Sequence, residues 1–188
     1  MSYQWNWGVF LQPSASGDDT YLGWMLAGFK MTIALSLTAW VLALLLGALI
    51  GVLRTVPNKA LAGFATGYVE LFRNVPLLVQ LFIWYFVLPE LLPESIGNAY
   101  KQSNPMLQQF LASMVCLALF TSARVAEQVR SGINSLPRGQ KNAGLALGFT
   151  LPQTYRFVML PMAFRLVVPP LTSEFLNIFK NSAVCSTI

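Results

Sequence analysis

The sequence predicts an all-α, polytopic membrane protein, and three observations point there. Charged residues make up only 10% of the 188-residue chain and hydrophobic ones 55%, whereas soluble domains carry about 25% charged residues. Residues 31–53 form a run of 23 without a charge, and a spanning helix needs about 20. Two more apolar runs follow at 74–88 and 106–123, and a fourth begins at Leu166 but is interrupted by Pro169, Pro170, Glu174 and Lys180. Four spans are expected.

The first 30 residues hold Trp5, Trp7, Trp24, Pro13 and a Ser/Gly/Asp cluster, which suits an interfacial arm with aromatic anchors. The run that follows is no cleavable signal, since Asp18 and Asp19 precede it and no small-residue cleavage site follows. Within this run Ala39, Ala43, Gly47 and Gly51 recur every fourth residue. Such a small-residue ridge lets another helix approach closely, inside the subunit or outside it.

The second run reads YVELFRNVPLLVQLFIWYF. As one helix it would place Glu70, Arg73, Leu77, Gln80 and Trp84 on one face. Polar groups at membrane depth are costly and mark substrate paths, so Arg73 and Gln80 are pathway candidates. A Glu70–Arg73 ion pair is the structural alternative. After the third run comes TSARVAEQVRSGINSLPRGQ, with Glu127 three residues from both Arg124 and Arg130. One carboxylate between two guanidiniums would tie this helix end together, and Arg124, nearest the membrane, joins the pathway candidates. The fourth run puts Glu174, Asn177 and Asn181 on one face with Lys180 pointing elsewhere. These four complete the tentative route.

Charge placement orients the chain. Residues 1–30 hold Asp18, Asp19 and Lys30, and 89–105 hold Glu90, Glu94 and Lys101, so each sums to minus one. The segment 124–165 has six Lys and Arg against Glu127 alone, and Arg54 and Lys59 follow the first run. Loops rich in Lys and Arg face the cytoplasm, which places the N-terminus outside. The net charge of +5 thus reflects topology, and no recognition module supports nucleic-acid binding.

The basic stretch contains KNAGLALGFTLPQTYRFVMLP, too interrupted to span and too apolar for a plain loop. Pro137 opens a helix that Gly148 can end as a left-handed cap. Thr150 and Gln153 then have the spacing of a capping box, and Pro161 is expected to close a second short helix. A helix-turn-helix of this kind suits a groove on another protein, with the lipid interface as the alternative partner.

The composition also excludes functions. The chain has no histidine, no metal-ligand cluster, no GxSxG and no paired carboxylates, so an enzyme's acid/base or nucleophile set cannot be assembled, and no metal or cofactor is expected. Cys116 and Cys185 fall inside expected spans and read as small packing residues. A GxxxxGK[ST] phosphate loop is absent, so ATP is not bound by this chain. An ion-coupled secondary amino-acid transporter would share the broken helices and buried polar groups but leaves the basic helix-turn-helix unexplained.

Gly139-Gln140, the small-residue triplet Asn142-Ala143-Gly144, Gly148, and Leu160-Pro161 resemble the EAA loop of binding-protein-dependent ABC importer permeases. ELFRNVPLLVQ, AEQVRSGINSLPRGQ and EFLNIFKNSA extend the likeness over essentially the whole chain. It is closest to polar amino-acid permeases of the glutamate/aspartate type. The resemblance implies an ABC type-1 transmembrane domain at 31–188 in the bacterial inner membrane, with a cytoplasmic coupling loop at about 136–162 seated in an ATPase groove. It also implies a homologous permease or second copy as partner, cytoplasmic ATP-binding subunits and a periplasmic amino-acid-binding protein. Two departures stand out. Asn142 replaces the family's glutamate, and the family's usual fifth span is not seen, so a truncated chain incompetent for transport alone is expected.

Overall fold

The computed structural model describes residues 5–15, 17 and 19–188, and is helical almost throughout. Asp18, counted above among the outward charges, lies outside the described residues. After a 3-10 turn at Trp7–Leu11 and an isolated antiparallel bridge between Pro13 and Thr20, helix α1 runs over Tyr21–Leu53. The arm therefore ends ten residues earlier than expected. The Thr20 side chain accepts from the Gly23 N–H at 3.1 Å and starts the helix there. At 1.5 Å per residue α1 is about 50 Å long, against a hydrocarbon layer of about 30 Å, so its first turns have room to project beyond it.

Helix α2 (Lys59–Asn74) starts at Asn58, whose side chain accepts from the N–H groups of Ala60 and Leu61. It does not continue into the second apolar run. Val75 turns extended and Pro76 starts α3 (Leu77–Phe82), because proline has no N–H to extend the ladder and disfavours a helical residue before it. The two parts meet at 102°. The single polar face drawn from Glu70 to Trp84 therefore does not exist. A π-helical turn (Ile83–Val87), α4 (Leu88–Leu91) and α5 (Glu94–Lys101) follow.

Helix α6 (Pro105–Asn134) is the central element. Against it lies the small-residue ridge of α1: a Cβ added at Gly47 would stand 2.7 Å from the Ser122 carbonyl oxygen, and one at Gly51 2.7 Å from that of Ala126. The ridge thus serves packing within the subunit. Helix α2 covers the same region of α6, with the Tyr68 and Ser122 hydroxyls 2.6 Å apart and Ala65 and Val69 buried against Ile50 and Ala126.

Beyond α6 come α7 (Arg138–Ala146) and α8 (Leu151–Thr154), then a π-helical turn (Tyr155–Met159) that leads into α9 (Leu160–Ser182) and a closing 3-10 turn at Ala183–Thr187. Pro161 does not close the helix as expected. It falls in the first turn of α9, directly after the π turn has shifted the hydrogen-bond ladder, where a missing N–H is tolerated. Helix α9 lies on α6, and its Phe175 meets Trp40 of α1 at 5.4 Å between ring centroids.

Among the described residues, helices α1 and α6 are each long and apolar enough to cross a membrane, and the bent pair Lys59–Asn74 with Leu77–Leu91 adds a third crossing if it forms one broken span rather than a re-entrant loop. Helix α9, expected as the fourth, is 23 residues long, about 35 Å, but carries Arg165, Glu174 and Lys180 and does not qualify by length and composition.

Candidate functional site

Two regions hold the polar chemistry. In the first, Glu127 on α6 binds Arg54, the residue that ends α1, and Arg130 one turn along, whose Nε is 3.1 Å from Oε1. Arg73, at the end of α2, stands 3.8 Å from the same carboxylate. The expected sharing of Glu127 between Arg124 and Arg130 is therefore half right. Arg124 turns the other way, to Glu174 of α9 at 3.9 Å, with its guanidinium 4.9 Å from the centre of the Phe120 ring. Arg130 keeps its contact one turn along the helix, while the place expected for Arg124 is taken by Arg54, a partner invisible across 73 positions.

Arg73, Arg124, Glu127, Gln128 and Glu174 line an open cavity of about 320 Å³. Arg73 and Arg124 remain about half exposed there, at 49% and 45% of their side-chain surface. Glu174 is buried, and its Oε2 has no hydrogen-bond partner among the described residues. Desolvating a carboxylate without full pairing is unfavourable, and this oxygen is shielded from the cavity itself. The cavity lining holds two guanidiniums and two carboxylates, and two further guanidiniums, Arg54 and Arg130, pair with Glu127 from outside it.

The other route candidates lie elsewhere. Gln80 does not line the cavity: its amide points back to the α2–α3 break. Asn177 and Asn181 are half-buried further along α9, and Lys180 is exposed. Glu70 accepts a hydrogen bond from Asn74 at 3.1 Å, while its expected partner Arg73 faces Glu127.

The second region is the turn between α7 and α8. Gly148 adopts φ 83°, its N–H donates to the Leu145 carbonyl at 3.0 Å, and the Phe149 N–H donates to that of Gly144 at 3.1 Å. This closes α7 with the left-handed cap that the sequence predicts. The capping box is also present: the Gln153 side-chain oxygen accepts from the Thr150 N–H at 2.8 Å. Gly144 is buried against α8, where an added Cβ would be 2.8 Å from Thr154 Cγ2. Asn142, Ala143 and Gly139 are exposed, as is Pro161; Gln140 is half-buried.

Two features anchor this unit that the sequence did not reveal. The Tyr155 hydroxyl donates to the Thr55 carbonyl at 2.7 Å, 100 residues away. Tyr155, Met159 and Ala163 form a cluster with Ile133 of α6, joined by Leu160, Val52 and Val129. A cavity of about 550 Å³ opens beside them, lined by Thr55, Asn134, Lys141 and Asn142 among others. On the outer side Leu147 is 76% exposed and Phe157 59%, with Phe149 6.3 Å from Phe157 between ring centroids.

Comparison with known proteins is consistent along the chain. The family of binding-protein-dependent transport system inner membrane components matches residues 43–188. The glutamate/aspartate import permease protein GltJ of Escherichia coli (strain K12) is 62% identical, over 100% of this chain and 77% of that protein. The arginine transport system permease protein ArtQ of Bacillus subtilis (strain 168) is 32% identical, over 87% of this chain and 70% of its own length. Among solved structures, the crystal structure of an amino acid ABC transporter with histidines superposes with a TM-score of 0.72 at 32% identity, covering 89% of this chain and 72% of that one.

Proposed function

The chain belongs to the binding-protein-dependent transport system inner membrane components, as the permease subunit of an amino-acid ABC importer, and we propose that its cargo is glutamate and aspartate. The observation that carries this reading is the cavity of about 320 Å³ between α2, α6 and α9. Arg54 and Arg130, outside the lining, hold the Glu127 carboxylate, so the two lining guanidiniums, Arg73 and Arg124, are each held only loosely, at 3.8 and 3.9 Å. An acidic amino acid offers two carboxylates to those cations. Its ammonium suits the carboxylate of Glu174 at the cavity wall. The similarity to a glutamate/aspartate permease supports the same cargo.

In this reading the subunit pairs with a second permease chain, is fed by a periplasmic amino-acid-binding protein and is driven by cytoplasmic ATP-binding subunits. The N-terminus faces the periplasm, and the α7–α8 turn, with Gly139, Gln140, Asn142, Ala143, Gly144, Gly148, Leu160 and Pro161, docks on the ATPase. Exposed Leu147, Phe149 and Phe157 offer that partner an apolar face. From Leu151 the chain is helical without interruption to Ser182. Glu174 lies 23 residues along it, about 35 Å at helical rise. Movement of the turn is thus delivered along one rod to the cavity wall. Pro169 and Pro170 inside α9 remove two N–H donors and leave a place where the rod can bend. Asn177, Lys180 and Asn181 continue the proposed polar route beyond Glu174. Family membership sets aside the ion-coupled alternative.

The test is uptake by the assembled importer in proteoliposomes, comparing glutamate with glutamine, each delivered by a binding protein loaded with it. Arg73→Gln, Arg124→Gln and Lys180→Gln should each reduce glutamate uptake more than glutamine uptake. Equal losses for both amino acids would refute an electrostatic role.

A further inference from the structure

The break between α2 and α3 leaves backbone carbonyls without helical donors, and one side chain answers for two of them. Gln80 Nε2 donates to the Phe72 carbonyl and to the Val75 carbonyl, each at 2.9 Å. The first lies eight residues back and the second five, both before Pro76, at the α2 end of the break, whereas Gln80 itself belongs to α3. Gln80 is 4% exposed, so neither water nor lipid headgroups supply these bonds in its place. The geometry is specific to the bent form: in a straight helix the Val75 carbonyl would accept from the Val79 N–H, and the Phe72 carbonyl, whose ladder partner Pro76 has no N–H, would lie two turns from residue 80 and out of its reach. On the other side of Pro76, the Cys116 thiol of α6 donates to the Leu77 carbonyl at 3.8 Å.

Arg73 lies one residue from Phe72 and two from Val75, both of whose carbonyls are held, and its guanidinium stands beside Glu127 at the cavity. We infer that Gln80 is a positioning residue for transport: by clasping both sides of the 102° break it fixes where α2 ends and so where Arg73 meets the cavity. Gln80 makes no contact with the cargo in this account. The inference rests on the importer reading only for its transport measurement; the structural measurement is independent of cargo.

The experiment uses Gln80→Met, close in size but without the donor, in the assembled importer with Cys116→Ala and Cys185→Ala. Spin labels replace Phe64 on α2 and Phe86 beyond the break, both of which are exposed. The expected result is a shifted or broadened label-to-label distance distribution together with a fall of roughly tenfold in maximal uptake, as expected for a lost pair of buried hydrogen bonds. The loaded binding protein concentration giving half-maximal uptake should remain unchanged. An unchanged distance distribution overturns the inference, whether uptake is normal or lost. So does a defect confined to half-saturation or to acidic amino acids, which would make Gln80 a cargo contact. Gln80→Glu, of the same size but offering acceptors where donors are needed, is read by the same two measurements should the methionine variant not assemble.

Discussion

Gly148 offers a way to separate the shape of the coupling turn from what touches it. Its φ of 83° is a conformation that costs an ordinary residue about 1–2 kcal/mol, and asparagine tolerates it better than alanine. A Cβ built at this position meets nothing within 4 Å in this chain, so an alanine methyl carries no steric cost within the subunit and an asparagine side chain starts into open space. Gly148→Ala should therefore weaken the turn by about 1 kcal/mol, a roughly fivefold loss of the closed form. Gly148→Asn should weaken it less while projecting a larger group. If the open space is where an ATPase sits, asparagine is the more damaging of the two despite its milder backbone cost. The assay is ATP hydrolysis stimulated by loaded binding protein, measured beside uptake in the same proteoliposomes. Uncoupling shows as hydrolysis that persists while uptake falls. Wild-type coupling in both variants, or a larger defect for alanine than for asparagine, would refute docking at this point.

Other expectations follow from close contacts. Gly144→Ala would force its Cβ to 2.8 Å from Thr154 Cγ2, an overpacking worth about 1–3 kcal/mol; thermal unfolding of the complex should register it, and Thr154→Ser should recover part of the loss. Tyr155→Phe removes the 2.7 Å bond to the Thr55 carbonyl, with an expected cost of about 1 kcal/mol and weaker coupling at unchanged cargo preference. Gly47→Leu cannot be accommodated against Val125 and the Ser122 carbonyl, 2.6 and 2.7 Å from an added Cβ, so α1 should part from α6 and the complex should fail to assemble. Glu127→Gln leaves Arg54, only 11% exposed, without its anion, and a loss of about 2 kcal/mol is expected, read as a lower melting temperature.

The local rules written along the chain were dependable where the partners are neighbours in sequence. The left-handed cap at Gly148 and the Thr150–Gln153 box span three to six residues, and the structure forms both. The apolar runs likewise announced helices, since burying backbone in lipid leaves no other economical choice. The second apolar run reads as one helix by hydrophobicity, but Pro76 breaks it, and how Gln80 recovers the freed carbonyls is visible only in three dimensions. Pro161, expected to close a helix, instead falls in the first turn of α9 behind a π turn.

Apolar runs, charge placement and motif spacing were enough to read a helical membrane permease with a capped turn on its basic side. Which charges meet was left to the packing of the helices. Arg54 and Glu127 are 73 residues apart, and Arg124 preferred Glu174 of another helix to Glu127 on its own. Ion pairing follows distance in space, and that distance is set by α1 lying close on α6 at Gly47 and Gly51 and by α9 returning beside them.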